Sequence, residues 1–208
     1  MNSVLYFHGF ASSPASAKIT LLRPILEQRG LQLVTPDLNL PSFERMDWDA
    51  ITTHASDQAR SLRPAVIAGS SLGALIALHV AQSGASTPLV LIAPALGISD
   101  RWREKTPPGD PIVVFNYARG AEVPIHRRFF EQMMEMTIDD QPPPVPVTVL
   151  MGRNDETIPF ERVLAVWERW QRQGLANGSR FIEISAGDHS LVSEVETIAQ
   201  EIVRYAVA

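Results

Sequence analysis

Residues 66–81 read VIAGSSLGALIALHVA, an apolar stretch interrupted at Gly69-Ser70-Ser71-Leu72-Gly73 and then resumed. The two halves differ in kind. Val66-Ile67-Ala68 is short and wholly apolar, as a strand buried on both faces of a parallel sheet is. From Leu72 the pattern lengthens through Leu75, Ile76, Leu78 and Val80, apolar nearly all round, which predicts a helix buried on most of its circumference. A sharp bend between a buried strand and a buried helix needs flanking residues without side-chain bulk. Glycine stands at both flanking positions, 69 and 73.

The same alternation of short β-rich runs and longer helical patterns continues in both directions. Strands are expected near Val4–Phe7, Leu31–Thr35, Ala65–Ala68, Leu89–Ala93, Val145–Met151 and Arg180–Ile184. A first helix starts around Pro14–Ser16 and stops at Gly30, where glycine supplies the left-handed turn. Others cover roughly Trp48–Leu62, Ser71–Ser83, Phe160–Gln173 and Leu191–Ala206. Strands alternating with helices give an α/β class with a parallel sheet covered on both faces. Prolines crowd into TPPGDP (106–111) and QPPPVP (141–146), and both segments should be loops because proline cannot donate to a ladder. They bracket an excursion, residues 97–144, that contains two short strands around Arg119–Gly120 and a helix in HRRFFEQMMEM. With no repeat or low-complexity tract, residues 1–208 read as a single domain carrying this lid-like insertion.

Composition narrows the partners. Eighteen Lys and Arg stand against 23 Asp and Glu, a net charge of −5, which offers little attraction to nucleic acid or an anionic membrane. No apolar run approaches the roughly 20 residues that span a bilayer, and MNSVLYFHGF lacks the form of a secretory leader. A soluble cytoplasmic protein is expected. With no cysteine, thiol nucleophiles and thiolate metal sites are excluded.

The turn itself has chemical meaning. A strand, then Gly-x-Ser-x-Gly, then a helix is the arrangement called a nucleophile elbow, which lifts the central serine above the sheet. Counting from the glycines puts Ser71 at the centre and leaves Ser70 as a spacer. Free N–H groups and the dipole at the helix start favour developing negative charge there. A serine hydroxyl needs a base, and imidazole, with an ordinary pKa of about 6.5, suits the task.

Five histidines compete. His79 falls on the buried helix and reads as a core histidine with a satisfied ring nitrogen. His54 belongs to a polar helix face and His126 to the insertion. His8 follows the first strand and is expected to steady its loop by a hydrogen bond. His189, in FIEISAGDHSLVSEV, follows the last strand, on the sheet edge where carboxyl-end loops gather and where Ser71 also lies. A carboxylate must then hold the imidazole tautomer. Asp155, in VTVLMGRNDETIPF, is favoured over the adjacent Glu156 and over Asp188, which is placed to cap the following helix. Oxyanion donors are expected from the Leu72 N–H and from the Phe10 N–H in the loop YFHGFASSP. No His-Glu-x-x-His or other ligand spacing accompanies His8, so neither metal nor cofactor is expected.

With HGF, GSSLG, GRNDETIP and GDHS in this order over nearly the whole chain, the sequence resembles the α/β-hydrolase superfamily. Within it, YFHGF followed by Ser-Ser-Pro is similar to the small bacterial YqiA-like esterases. The resemblance implies a Ser-His-Asp hydrolase with Ser71, Asp155 and His189 as triad and the Phe10 and Leu72 amides as oxyanion donors. Only three residues precede the first strand, so the usual N-terminal hairpin should be missing, leaving a minimal six-stranded sheet in order 2-1-3-4-5-6. In the insertion, Trp102, Phe115, Tyr117, Phe129, Phe130 and the methionines should mostly pack it onto the body. The expected function is cleavage of a small-molecule acyl ester through an acyl-enzyme. Acyl thioesters are the nearest alternative, followed by a ligand-binding protein that keeps the fold without turnover and, further off, a peptidase.

Overall fold

The computed structural model describes residues 2–207. The first half of the chain runs β1 (Asn2–Phe7), α1 (Ala17–Gln28), β2 (Leu31–Val34), α2 (Trp48–Leu62), β3 (Val66–Ser70), α3 (Leu72–Gln82) and β4 (Leu89–Ile92). An excursion follows, made of α4 (Ile98–Lys105), the hairpin β5 (Ile112–Asn116) and β6 (Ala121–Ile125), and α5 (Arg127–Met134). The chain returns as β7 (Val147–Gly152), α6 (Phe160–Arg172), β8 (Arg180–Ile184) and α7 (Val195–Ala206).

Six of these strands form one parallel sheet in the order β2-β1-β3-β4-β7-β8. This is the expected 2-1-3-4-5-6 order, with the excursion inserted between the fourth and fifth sheet strands. The central strands are buried without alternation; all four residues of β4 and all six of β7 are inaccessible. Such strands need cover on both faces, and the handedness of the connections supplies it. From β1 the chain steps to β2 on one side, whereas the later crossovers step the other way, so right-handed crossovers put α1 on one face and α2, α3 and α6 on the other. Helix α7 returns to pack beside α1. The order reverses between β1 and β3, which opens a crevice at their carboxyl ends.

Helix α3 is the most enclosed, with nine of its 11 residues buried. The apolar stripe on α6 buries Phe160, Val163, Val166, Trp167 and Trp170 at the i, i+3, i+4 spacing of an amphipathic helix. Both proline-rich segments are loops. Several expectations need correction. The periodicity predicts α7 from Leu191, yet Leu191 is buried in a left-handed conformation with φ 43°, so α7 begins four residues later. Helix α4 gives no amphipathic signal in the sequence: it is short and polar, and its packing depends on Ile98 and Trp102. His79 is half-buried, its ring edge-on to Trp48 at 6.0 Å, with no ring hydrogen bond among the described residues. Phe115 and Tyr117 are 50% and 76% exposed rather than packed on the body, because the hairpin presents that face to solvent. Among the described residues no helix is long and apolar enough to cross a membrane.

Candidate active site

Strand β3 ends at Ser70, and Ser71 turns the chain into α3 with φ 53° and ψ −117°. A non-glycine residue rarely adopts such a conformation, at an expense of about 1–3 kcal/mol. Surrounding contacts hold it there. The Ser71 N–H donates to Ile92 O at 3.0 Å, and its carbonyl accepts from the Ala74 and Ala95 N–H groups. The glycines serve the tight bend as expected: a Cβ on Gly69 would run into the Gly73 carbonyl, and one on Gly73 into the Phe7 carbonyl of β1.

The bend brings the Ser71 hydroxyl to 3.1 Å from Nε2 of His189, whose ring lines the crevice. On the other side of the ring, His189 Nδ1 lies 2.7 Å from Asp155 Oδ2. Asp155 is fully enclosed at its side chain, and its Oδ1 accepts the Thr157 and Ile158 N–H groups at 2.9 and 2.8 Å. With Oδ1 so occupied, Oδ2 serves as acceptor for Nδ1–H, which leaves the Nε2 lone pair facing the serine. The competitors fall elsewhere. Glu156 is exposed, and Asp188 Oδ1 accepts from Ser190 Oγ and the Leu191 N–H, closing its own turn rather than capping α7, which starts seven residues further on. That hydroxyl also holds the Asp188 carboxyl below its ordinary range.

Two glycines bring the aspartate and histidine loops together. A Cβ on Gly152, at the end of β7, would run into the Gly187 carbonyl. Gly187 O accepts the Asn154 N–H at 2.9 Å, and Ile184 O accepts the Arg153 N–H at 3.0 Å. Nothing in the sequence alone pairs position 152, at the end of β7, with position 187, in the loop after β8.

The loop after β1 forms the opposite wall. His8 Nδ1 donates to Gly9 O at 2.9 Å, and Nε2 accepts the Leu38 N–H at 3.0 Å, the bracing role predicted for it. Burial pushes its pKa down, consistent with a neutral ring. A Cβ on Gly9 would stand 3.4 Å from the Ser71 Cβ, so this backbone passes directly beside the serine. Phe10 is anchored at its ring, stacked on Phe129 at 5.7 Å and tilted against Phe43 at the same distance. Trp102 and Phe130 complete the cluster, so three aromatic residues of the excursion hold this loop. Among the described residues neither the Phe10 nor the Leu72 N–H meets a backbone acceptor. The crevice encloses about 620 Å³.

A profile of the "Uncharacterised protein family (UPF0227)" matches residues 3–192. The chain belongs to this family. No curated protein matches the UPF0227 chain, but solved structures do. Est1E from Butyrivibrio proteoclasticus, in a structure with ferulic acid bound, is 17% identical over 100% of this chain and 90% of its own, with a TM-score of 0.77. Alpha/beta hydrolase domain-containing protein 10 from mouse is 19% identical over 97% of this chain and 88% of its own, with a TM-score of 0.76. The esterase domain of a Rhodothermus marinus protein is 18% identical over 99% and 86%, with a TM-score of 0.71. At these identities the likeness is one of fold: the UPF0227 chain has the fold of the α/β hydrolases.

One polar group of this UPF0227 chain carries no signal in the sequence. Lys18, on the first turn of α1, is 7% exposed, and its Nζ donates to Ser70 Oγ at 2.8 Å. Ser70 is thus more than a spacer. A lysine one turn into an amphipathic helix reads as a solvated residue, and only the fold directs it inward.

Proposed function

We propose that the protein is a serine hydrolase of small carboxylic esters. The observation that carries this is the unbroken chain of hydrogen bonds from Ser71 through His189 to the enclosed Asp155. His189 Nε2 takes the hydroxyl proton as Ser71 Oγ bonds to the ester carbonyl carbon, and Asp155 stabilises the resulting imidazolium. The carbonyl oxygen, now negative, is met by the Phe10 and Leu72 N–H groups. When the tetrahedral centre collapses, the carbon–oxygen bond to the alcohol breaks and His189 delivers its proton to that oxygen. Water, deprotonated by the same imidazole, then attacks the acyl-serine and releases the acid with Ser71 restored.

The size of the crevice suits a small-molecule ester, within the roughly 300–1,000 Å³ of ligand sites. The excursion at 97–144 acts as a lid whose aromatic cluster fixes the Phe10 amide. The absence of cysteine is compatible with action in the cytoplasm. Purified protein is expected to hydrolyse 4-nitrophenyl butyrate and to be labelled by a fluorophosphonate, and Ser71→Ala to lose both. A wild-type protein inert to both reagents would overturn the assignment.

A further inference from the structure

Hydrolysis of a neutral ester makes no use of one feature of the crevice. Lys18 lines it beside His189 and Ser70. Of its three N–H donors, one goes to Ser70 Oγ. Among the described residues no carboxylate lies within ion-pair distance of Nζ, and Asp188 and Asp155 act on it only through space. The Asp155 oxygens are taken by His189 and two backbone amides, and Asp188 Oδ1 by its own loop. An enclosed ammonium without a counterion is costly. Such a group persists where it is used.

A second, independent feature points the same way. Helix α1, 12 residues long, starts on this crevice: Ser16 and Ala17 line it together with Lys18. The Ser16 side chain makes no capping hydrogen bond, and the first turn carries no acidic residue. The N–H groups of that turn are open, at the positive end of the helix dipole. A lysine side chain on a first turn leans back toward the helix start, and Lys18 lines the same crevice as Ser16 and Ala17.

We propose that Lys18 and the first turn of α1 form a subsite for a carboxylate, so that the preferred substrate is an ester bearing a free carboxylate in its acyl or alcohol part. This rests on the hydrolase reading above. A monoanion fits better than a phosphate dianion because Glu156 and Asp188 line the same crevice and would repel additional charge. Burial pushes the Lys18 ammonium down to about 7, opposed by Asp188 and Asp155; Tyr6, held neutral by burial, and His189 also face it. A bound carboxylate favours the protonated amine, so the preference for an anionic ester fades as pH rises above neutrality.

The test compares wild type, Lys18→Met and Lys18→Gln on three esters. These are 4-nitrophenyl butyrate, 4-nitrophenyl hemiglutarate with the carboxylate in the acyl part, and 4-butyryloxybenzoate with it in the leaving group. Both substitutions are expected to lower kcat/KM for one carboxylate ester about tenfold or more beyond any fall for the neutral ester, as loss of a charged hydrogen bond implies. The wild-type ratio of carboxylate to neutral ester should decline between pH 7 and 9, and the variants' ratio should stay flat. Equal falls on all three esters, or none, would overturn the subsite. If wild type hydrolyses no ester, the hydrolase reading fails by itself, and calorimetry with monomethyl and dimethyl glutarate then decides the subsite. Tighter binding of the monoester, lost in Lys18→Met, supports it, and equal or undetectable binding of the two refutes it.

Discussion

The Asn154 N–H donates to the Gly187 carbonyl at 2.9 Å, joining the loop that carries Asp155 to the loop that carries His189. The 2.7 Å contact between those two side chains depends on this backbone join. It exists because neither Gly152 nor Gly187 has a Cβ.

Gly152→Ala should therefore separate the loops. The added methyl has no room against the Gly187 carbonyl, and overpacking of this kind destabilises by about 1–3 kcal/mol. Esterase activity is expected to fall further than stability, since a displacement of about 1 Å in a catalytic array can reduce rate 100-fold. Urea unfolding beside kcat at a temperature where the variant stays folded measures both. Retention of full activity would show that the join is dispensable.

Asp155→Asn should preserve the fold, because a side-chain oxygen can still accept the Thr157 and Ile158 N–H groups. The amide nitrogen then faces His189 and favours the wrong tautomer, so kcat on 4-nitrophenyl butyrate should drop by about 10⁴-fold. Glu168→Gln, at an exposed position on α6 that does not line the crevice, provides the comparison and should stay near wild type.

Ser71→Gly and Ser71→Ala should both abolish turnover but differ in stability. The φ of 53° is open to glycine and strained for alanine. The glycine variant should melt above the alanine variant by a few degrees, as about 1 kcal/mol implies. Differential scanning calorimetry reads the difference.

Lys18→Met should stabilise the protein at and below neutral pH. The folded-state value of about 7 lies below the ordinary 10.5, so between those limits the unfolded chain binds more protons than the native one. The native Lys18 therefore makes stability rise as pH increases from 7 toward 10.5, and its burden is complete below 7. The stability gap between variant and wild type should be largest at pH 6 and shrink by pH 9.5, on the order of a few kcal/mol. Denaturant unfolding at the two pH values checks the sign.

Much of this was legible in advance because parallel sheets bury their strands on both faces. Val66–Ala68 and Leu89–Ile92 announce themselves as unbroken apolar runs, and glycine spacing picks out the Ser71 turn from local sterics alone. Asp155 and His189 follow because each sits in a loop at a strand's carboxyl end, and topology gathers such loops. Lys18 and the Gly152–Gly187 join were not legible, since both depend on contacts between segments far apart in sequence. Phe115 misled for the opposite reason: its apolar character says nothing about which face a two-stranded hairpin turns to water.

The excursion departs after β4 and rejoins at β7, strands that are hydrogen-bonded neighbours. Its replacement by a segment of another length would leave every rung between those strands untouched, while removing Trp102, Phe129 and Phe130 from around Phe10. Evolution can thus retailor what enters the crevice by exchanging one cassette, provided each new cassette again supplies a wall for that ring.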